Sequence, residues 1–164
     1  MLPDLLANNL KLVICGTAVG EMSFQQKQYY ARPGNRFWSM LYQTGLTPKL
    51  LSPLEYKHLL TYGIGLTDLA KNKIGMDSRL SQTDFASDAL VNLLKQYQPK
   101  YLCFNGKRAA EEFFRQPVEY GLQEFNVSLT RFFVAPSTSG AASKWWNIDI
   151  WKELARLCNE NKTN

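Results

Sequence analysis

"VICGTAVGE" (residues 13–21) and "FFVAPSTSGAAS" (residues 132–143) share one construction. Each is a short apolar run that breaks into Gly, Ala, Ser and Thr. An apolar run of this length, ended by turn residues, reads as a strand buried on both faces. The small residues beyond it keep bulk away from the strand end, so a ligand's chain can approach the backbone there. Two strands that end alike point to one crevice. The first of the two loops carries no ionisable group before Glu21, which leaves open how chemistry would be done in it.

The rest of the chain supplies partners for these strands. "LKLVIC" (10–15) is the first strand, "IGLTDL" (64–69) a short one, "KYLCF" (100–104) another and "TRFFVA" (130–135) the last. Residues 16–34 read as a long loop. "NRFWSMLYQTG" (35–45) reads as a helix with Phe37, Met40 and Leu41 inward and Gly45 as its C-cap. "SPLEYKHLL" (52–60) opens with a Ser N-cap and Pro at the first helical position. "TDFASDALVNLLKQY" (83–97) is amphipathic, with Phe85, Ala89, Leu93 and Tyr97 on one side. "GKRAAEEFFR" (106–115) and "NIDIWKELARLC" (147–158) complete the helices. Apolar strands separated by helices imply a parallel sheet covered on both faces. Each strand ends in small or polar residues: Gly16 to Gly20, Thr67-Asp68, Asn105-Gly106-Lys107, and Pro136 to Gly140. In open α/β sheets the ligand lies beyond these carboxyl ends.

Length and composition narrow the classes. A chain of 164 residues suits one domain, here taken as 1–164. No apolar run approaches the ~20 residues of a membrane span, and "MLPDLLANNL" lacks the basic and apolar regions of a secretory signal. Cys15, Cys103 and Cys158 are odd in number, without C-x-x-C spacing, and read as buried thiols of a reducing compartment. The expected location is cytoplasmic, beside the nucleoid. With one histidine, His58, in a helical pattern, no metal site is expected, and no cofactor. The net charge of +5 favours an anionic partner. "YYARPGNRFW" and "KWWNIDIW" interleave aromatics with basic residues, as stacked bases and phosphates require. In this reading Tyr29 and Tyr30 stack on a planar ring, whereas Phe37 and Trp38 belong to the core.

Familiar motifs do not fit. "GTAVGE" is not G-x-G-x-x-G, "NGKRAA" lacks the upstream glycine and the Ser/Thr of a P-loop, and "STSGAAS" is no nucleophile elbow. What remains suits an enzyme that takes a single base out of a duplex.

At this point the motifs resemble a known family, the mismatch-directed uracil/thymine DNA glycosylases of the uracil-DNA glycosylase superfamily. "YYARPGNRFW" resembles that family's Pro-Gly-Asn-x-Phe-Trp segment, and "YGIGLTDL" (62–69) its Tyr-Gly-Ile-Gly-Phe-Thr-Asn stretch. "QPKYLCFNGK" (98–107) is similar to its third strand, "EYGLQ" (119–123) to its Glu-Phe-Gly-Leu-Gln, and "APSTSGA" (135–141) to its Met-Pro-Ser-Ser-Ser-Ala-Arg. The resemblance runs from Leu10 to about Ser143. It implies a three-layer α/β/α sandwich with a four-stranded parallel sheet, and a monomer that flips a deaminated or mismatched base from DNA, double- or single-stranded, and hydrolyses its N-glycosidic bond. Uracil is the expected base, with thymine or hypoxanthine as further candidates.

The resemblance also implies site residues. Gly16, Gly20, Ser23, Tyr30 and Asp68 would bind the base, Tyr30 by stacking. Thr17, Ala18, Asn35 and Asp68 occupy the catalytic positions. Ser137, Thr138, Ser139, Gly140 and Ala141 would grip the backbone, with Lys107 and Lys144 on phosphates. Three departures stand out. Ala18 replaces the water-orienting asparagine of Gly-Ile-Asn-Pro-Gly, Ala141 stands where relatives carry a wedging Arg or Leu, and Asp68 takes the place of a base-reading Asn. The alternative is therefore a weak or inactive protein that binds lesions without cutting them.

Overall fold

The computed structural model describes residues 2–18, 20–69 and 87–160. In chain order the elements are β1 (Leu12–Gly16), α1 (Glu21–Gln26), α2 (Phe37–Gln43), a 3₁₀ segment (Pro53–Tyr62), β2 (Ile64–Asp68) and α3 (Ser87–Tyr97). There follow β3 (Tyr101–Asn105), α4 (Lys107–Phe114), β4 (Gly121–Val127), β5 (Thr130–Ala135), a second 3₁₀ segment (Gly140–Trp145) and α5 (Ile148–Cys158).

The sheet order is β2-β1-β3-β5-β4. β1 pairs in parallel with β2 and β3, and β3 with β5. The four expected strands thus form the parallel core of an α/β/α sandwich. The sheet has five strands, not four: β4 pairs antiparallel with β5 at one edge. Its sequence, GLQEFNV, hides the strand. Most of its side chains are exposed or half-exposed, and Gly, Glu and Asn are poor strand formers, so no apolar run announces it.

Alternate residues of the strands feed two cores, as a period of two demands. Leu12, Ile14, Cys103 and Phe133 join Phe37, Met40, Leu41 and Trp151 on one face. Val13, Cys15, Phe104, Phe132 and Val134 join Leu94, Ala109 and Ala110 on the other. All three cysteines are buried. Burial pushes the Cys158 thiol up to about 12 and Cys103 well above its usual value.

Two local readings change. The supposed loop 16–34 contains α1. The segment after Ser52 keeps its expected N-cap and Pro, adds a capping box with Glu55, and winds as 3₁₀ turns with a kink at Glu55, ending at Gly63 in the left-handed region. Gly45 follows α2 at φ +81°, where a helix-ending glycine belongs. The helix read over 83–97 is described from Ser87 onward; residues 83–86, with Phe85, and Val19 of the first loop lie outside the described residues.

Candidate active site

β1 is the switch point of the sheet, with β2 on one side and β3 on the other, and a crevice of about 730 Å³ opens beyond the strand ends. It is lined by Gly16, Thr17 and Ala18 after β1, Asp68 ending β2, Asn105 to Arg108 after β3, and Ser137, Thr138, Ser139, Ala141 and Ala142 after β5. Ser23, Tyr29, Tyr30, Arg32 and Asn35 line it from the first long connection, and Tyr120 and Trp145 from the rim. The four strand ends read from sequence meet in one cavity.

The floor is tightest at Gly16. Its partner in the parallel register is Asp68. A Cβ on Gly16 would lie 2.8 Å from Asp68 Oδ1 and 3.3 Å from Tyr30 Oη. Glycine at this position lets a buried carboxylate and a phenol converge on the strand end.

Tyr30 takes a φ of +53°, a costly conformation for an aromatic residue. This turn lays its ring on Phe37, with centroids 3.9 Å apart and planes 17° apart. One face is thus backed by the core while the ring lines the cavity. Burial and then the charge of Asp68 push its hydroxyl well above the usual phenol value, and Asn105 opposes this. Tyr29 does not share the role of Tyr30. It is buried, donates to the Pro3 carbonyl (3.0 Å) and packs edge-on against Tyr56.

Several expected ligand-binding side chains are engaged in shaping the loops. Thr138 is fully buried. Its Oγ1 accepts from Asn105 Nδ2 and its backbone N–H donates to Asn105 Oδ1, both at 3.0 Å. This two-point clamp ties the end of β3 to the loop after β5, and its geometry fixes which end of the amide is oxygen. The Thr138 carbonyl accepts from Arg36 N. Ser23 Oγ accepts from Ala31 N at 2.7 Å and so closes the first long connection. Asn35 Oδ1 accepts from Phe37 N at the start of α2, which leaves its Nδ2 donor for the cavity. Ser137 and Ser139 hydroxyls accept from the backbone two residues on. A Cβ on Gly140 would approach the Gly34 carbonyl to 3.2 Å, so the two loops run against each other.

The described lining residues include three cationic side chains, Arg32, Lys107 and Arg108, and one carboxylate, Asp68. Lys107 Nζ lies over the Tyr120 ring at 4.4 Å. Lys144 is exposed beside the crevice rather than lining it. Sequence reading placed Asn105 at the crevice but missed Arg108, Tyr120 and Trp145 as lining residues. "NGKRAA" offered Arg108 as well, since a strand end followed by a helix start carries it into the crevice.

A positive crevice with an aromatic floor, at the carboxyl ends of a parallel sheet, defines an α/β protein whose site can receive a planar group attached to an anionic chain. The sequence profile of the Uracil DNA glycosylase superfamily matches residues 3–155, and the chain belongs to that superfamily, whose members are DNA glycosylases. The fold is similar to the solution NMR structure of a candidate uracil DNA glycosylase from Methanosarcina acetivorans. That match has a TM-score of 0.63 and 21% sequence identity, and covers 97% of each chain.

Proposed function

We propose that this protein is a monofunctional, mismatch-directed DNA glycosylase of one domain that excises deaminated bases, uracil foremost. The observation that carries the reading is the slot at the end of β1. Tyr30 is backed by Phe37 and offers a neutral ring for a flipped base, and Asp68 and Asn35 stand at its edge.

The chemistry follows from the groups present. The C1′–N bond breaks with its electron pair leaving on the base, and the sugar acquires cationic character. Water oxygen bonds to C1′ and gives up a proton. Ala18 supplies no polar group for this water. One lone pair of the Asn35 oxygen is taken by Phe37 N, and an amide can hold a water but cannot take its proton. Asp68 is the group that accepts: its carboxylate orients the water, takes its proton and stabilises the positive sugar. Thr17 and Gly20 shape the passage for the sugar. Lys107, Arg108 and Lys144 meet phosphates, with the backbone N–H groups of residues 137–141 between them.

The test is a panel of duplexes and single strands carrying uracil, thymine, hypoxanthine or xanthine, incubated with excess protein and cleaved with alkali. Uracil should be released fastest, opposite guanine or in single strands, and Asp68→Asn should slow every reaction by roughly 10²–10³. No cleavage above buffer on any base, with lesion binding intact, would replace this reading by that of a binding protein. If Asp68→Asn instead changes the preference among bases, Asp68 reads the base edge rather than the water.

A further inference from the structure

The tip of the loop after β5 carries only Gly140, Ala141 and Ala142, none long enough to fill the gap that an extruded base leaves in a duplex. The aromatic cluster that follows is divided by the structure. Trp151 is fully buried and donates to the Pro136 carbonyl at 2.8 Å. Trp146 packs against the core beneath the Arg36 guanidinium. Trp145 is 60% exposed and lines the crevice. Among the described residues the other exposed large apolar side chains, Leu54 and Leu129 included, do not line it.

Its support is organised. Ser139 Oγ accepts from Ala141 N, Ala142 N donates to the Ser139 carbonyl, Ser143 Oγ donates to the Gly140 carbonyl, and Trp146 N donates to the Ser143 carbonyl. These bonds hold a 3₁₀ segment that buries none of its own residues. The fold therefore keeps a large apolar ring in water at the mouth of a positively charged crevice, a placement that core packing does not require.

We infer that Trp145 is the wedge of this protein: its indole enters the base stack where the target nucleotide has left and holds the duplex open. This rests on the glycosylase reading of the crevice. An indole is planar and bicyclic, like a purine, so it replaces the stacking that extrusion forfeits. Lys144 Nζ lies 5.4 Å from the ring centroid. At an exposed site that contact is weak, and it yields when the ammonium takes a phosphate.

The experiment compares wild type, Trp145→Ala and Trp145→Phe by fluorescence anisotropy. The probes are a labelled duplex with a tetrahydrofuran abasic analogue opposite guanine, and the same lesion strand alone. A 2-aminopurine beside the lesion reports unstacking. For Trp145→Ala, affinity for the duplex should fall roughly 5- to 150-fold, the range of one aromatic–base stack. The single strand should lose several-fold less, and the 2-aminopurine signal should shrink. Trp145→Phe should recover most of the duplex affinity. Equal losses on both probes, or undiminished duplex affinity, would overturn the wedge. The excision panel decides the other question separately. Wild type that needs Trp145 to bind the duplex yet releases no base keeps the wedge and refutes the glycosylase. Full excision and duplex binding by Trp145→Ala do the reverse. Wild type that binds neither probe refutes both.

Discussion

Replacing Gly16 with alanine asks whether the carboxylate and phenol packed on the end of β1 are the working parts of the site. The new Cβ would lie 2.8 Å from Asp68 Oδ1, about 0.6 Å inside ordinary van der Waals contact. The backbone cannot give way. Gly16 lies in the ladder opposite Asp68, and its carbonyl accepts from Leu69 N at 2.8 Å. Tyr30 Oη, 3.3 Å from the same point, blocks a second direction. The Asp68 side chain must therefore turn, within a site where it is 6% exposed. Overpacking of this kind costs about 1–3 kcal/mol, and at this chain length each kcal/mol lowers Tm by about 2–4 °C. The expected effect on rate is larger, because displacing a reacting group by a fraction of an ångström to an ångström costs about 10²-fold. Thermal melting and single-turnover release of uracil measure the two effects. Gly20→Ala is the control for stability: its Cβ meets nothing within 4 Å, and its Tm should stay near that of wild type. A Gly16→Ala protein with unchanged Tm and rate would refute the packing argument. A lowered Tm with an unchanged rate would keep the packing and move the chemistry away from Asp68 and Tyr30.

Ala18→Asn should raise uracil release by up to roughly 10²–10³, the worth of one oriented polar group; an unchanged or lower rate in single-turnover assays would mean that the water is already held. Affinity for abasic duplex should fall steeply with salt, and Lys107→Ala or Lys144→Ala should each weaken binding alike on all sequences and flatten the salt slope by about one ion; a flat wild-type slope would contradict the phosphate contacts. The backbone N–H of Ser52, then its hydroxyl and the Lys49 and His58 charges, hold the Glu55 carboxyl below its ordinary value. Its stabilisation is therefore complete above the ordinary glutamate value and lost as pH falls through the lowered folded value. Glu55→Gln should flatten that part of the acid-unfolding curve, followed by circular dichroism, and an identical curve would show that the Glu55 charge contributes nothing.

Much of the architecture follows from local pattern. The strands β1, β2, β3 and β5 are continuous apolar runs because both their faces are covered, and such runs are visible in one dimension. The small residues after β1 and β5 and the Asn-Gly after β3 mark the crevice by residue type alone, since close backbone approach excludes bulk wherever the chain later folds. The Ser52 N-cap with its following proline and the glycine after α2 are equally local. β4 is not legible in the same way: an edge strand touches the sheet with only part of one face, so its composition is that of a loop.

Partnerships across the chain belong to the tertiary structure alone. Asn105 and Thr138 stand 33 residues apart and meet because β3 and β5 are neighbours in the sheet. Tyr29 and Tyr30 are adjacent and of one type and both reach the cavity, yet Tyr29 is tied to the Pro3 carbonyl while Tyr30, in a left-handed conformation, lies flat on Phe37. Trp145, Trp146 and Trp151 are likewise indistinguishable by type, and only the course of the 3₁₀ segment and α5 over the sheet decides which ring meets water. Residue type and spacing determine which chemistry is available and which strands bury both faces. The order of strands and the close packing of loops decide which polar groups are consumed in holding the site together and which remain to act, because both depend on contacts between residues far apart in sequence.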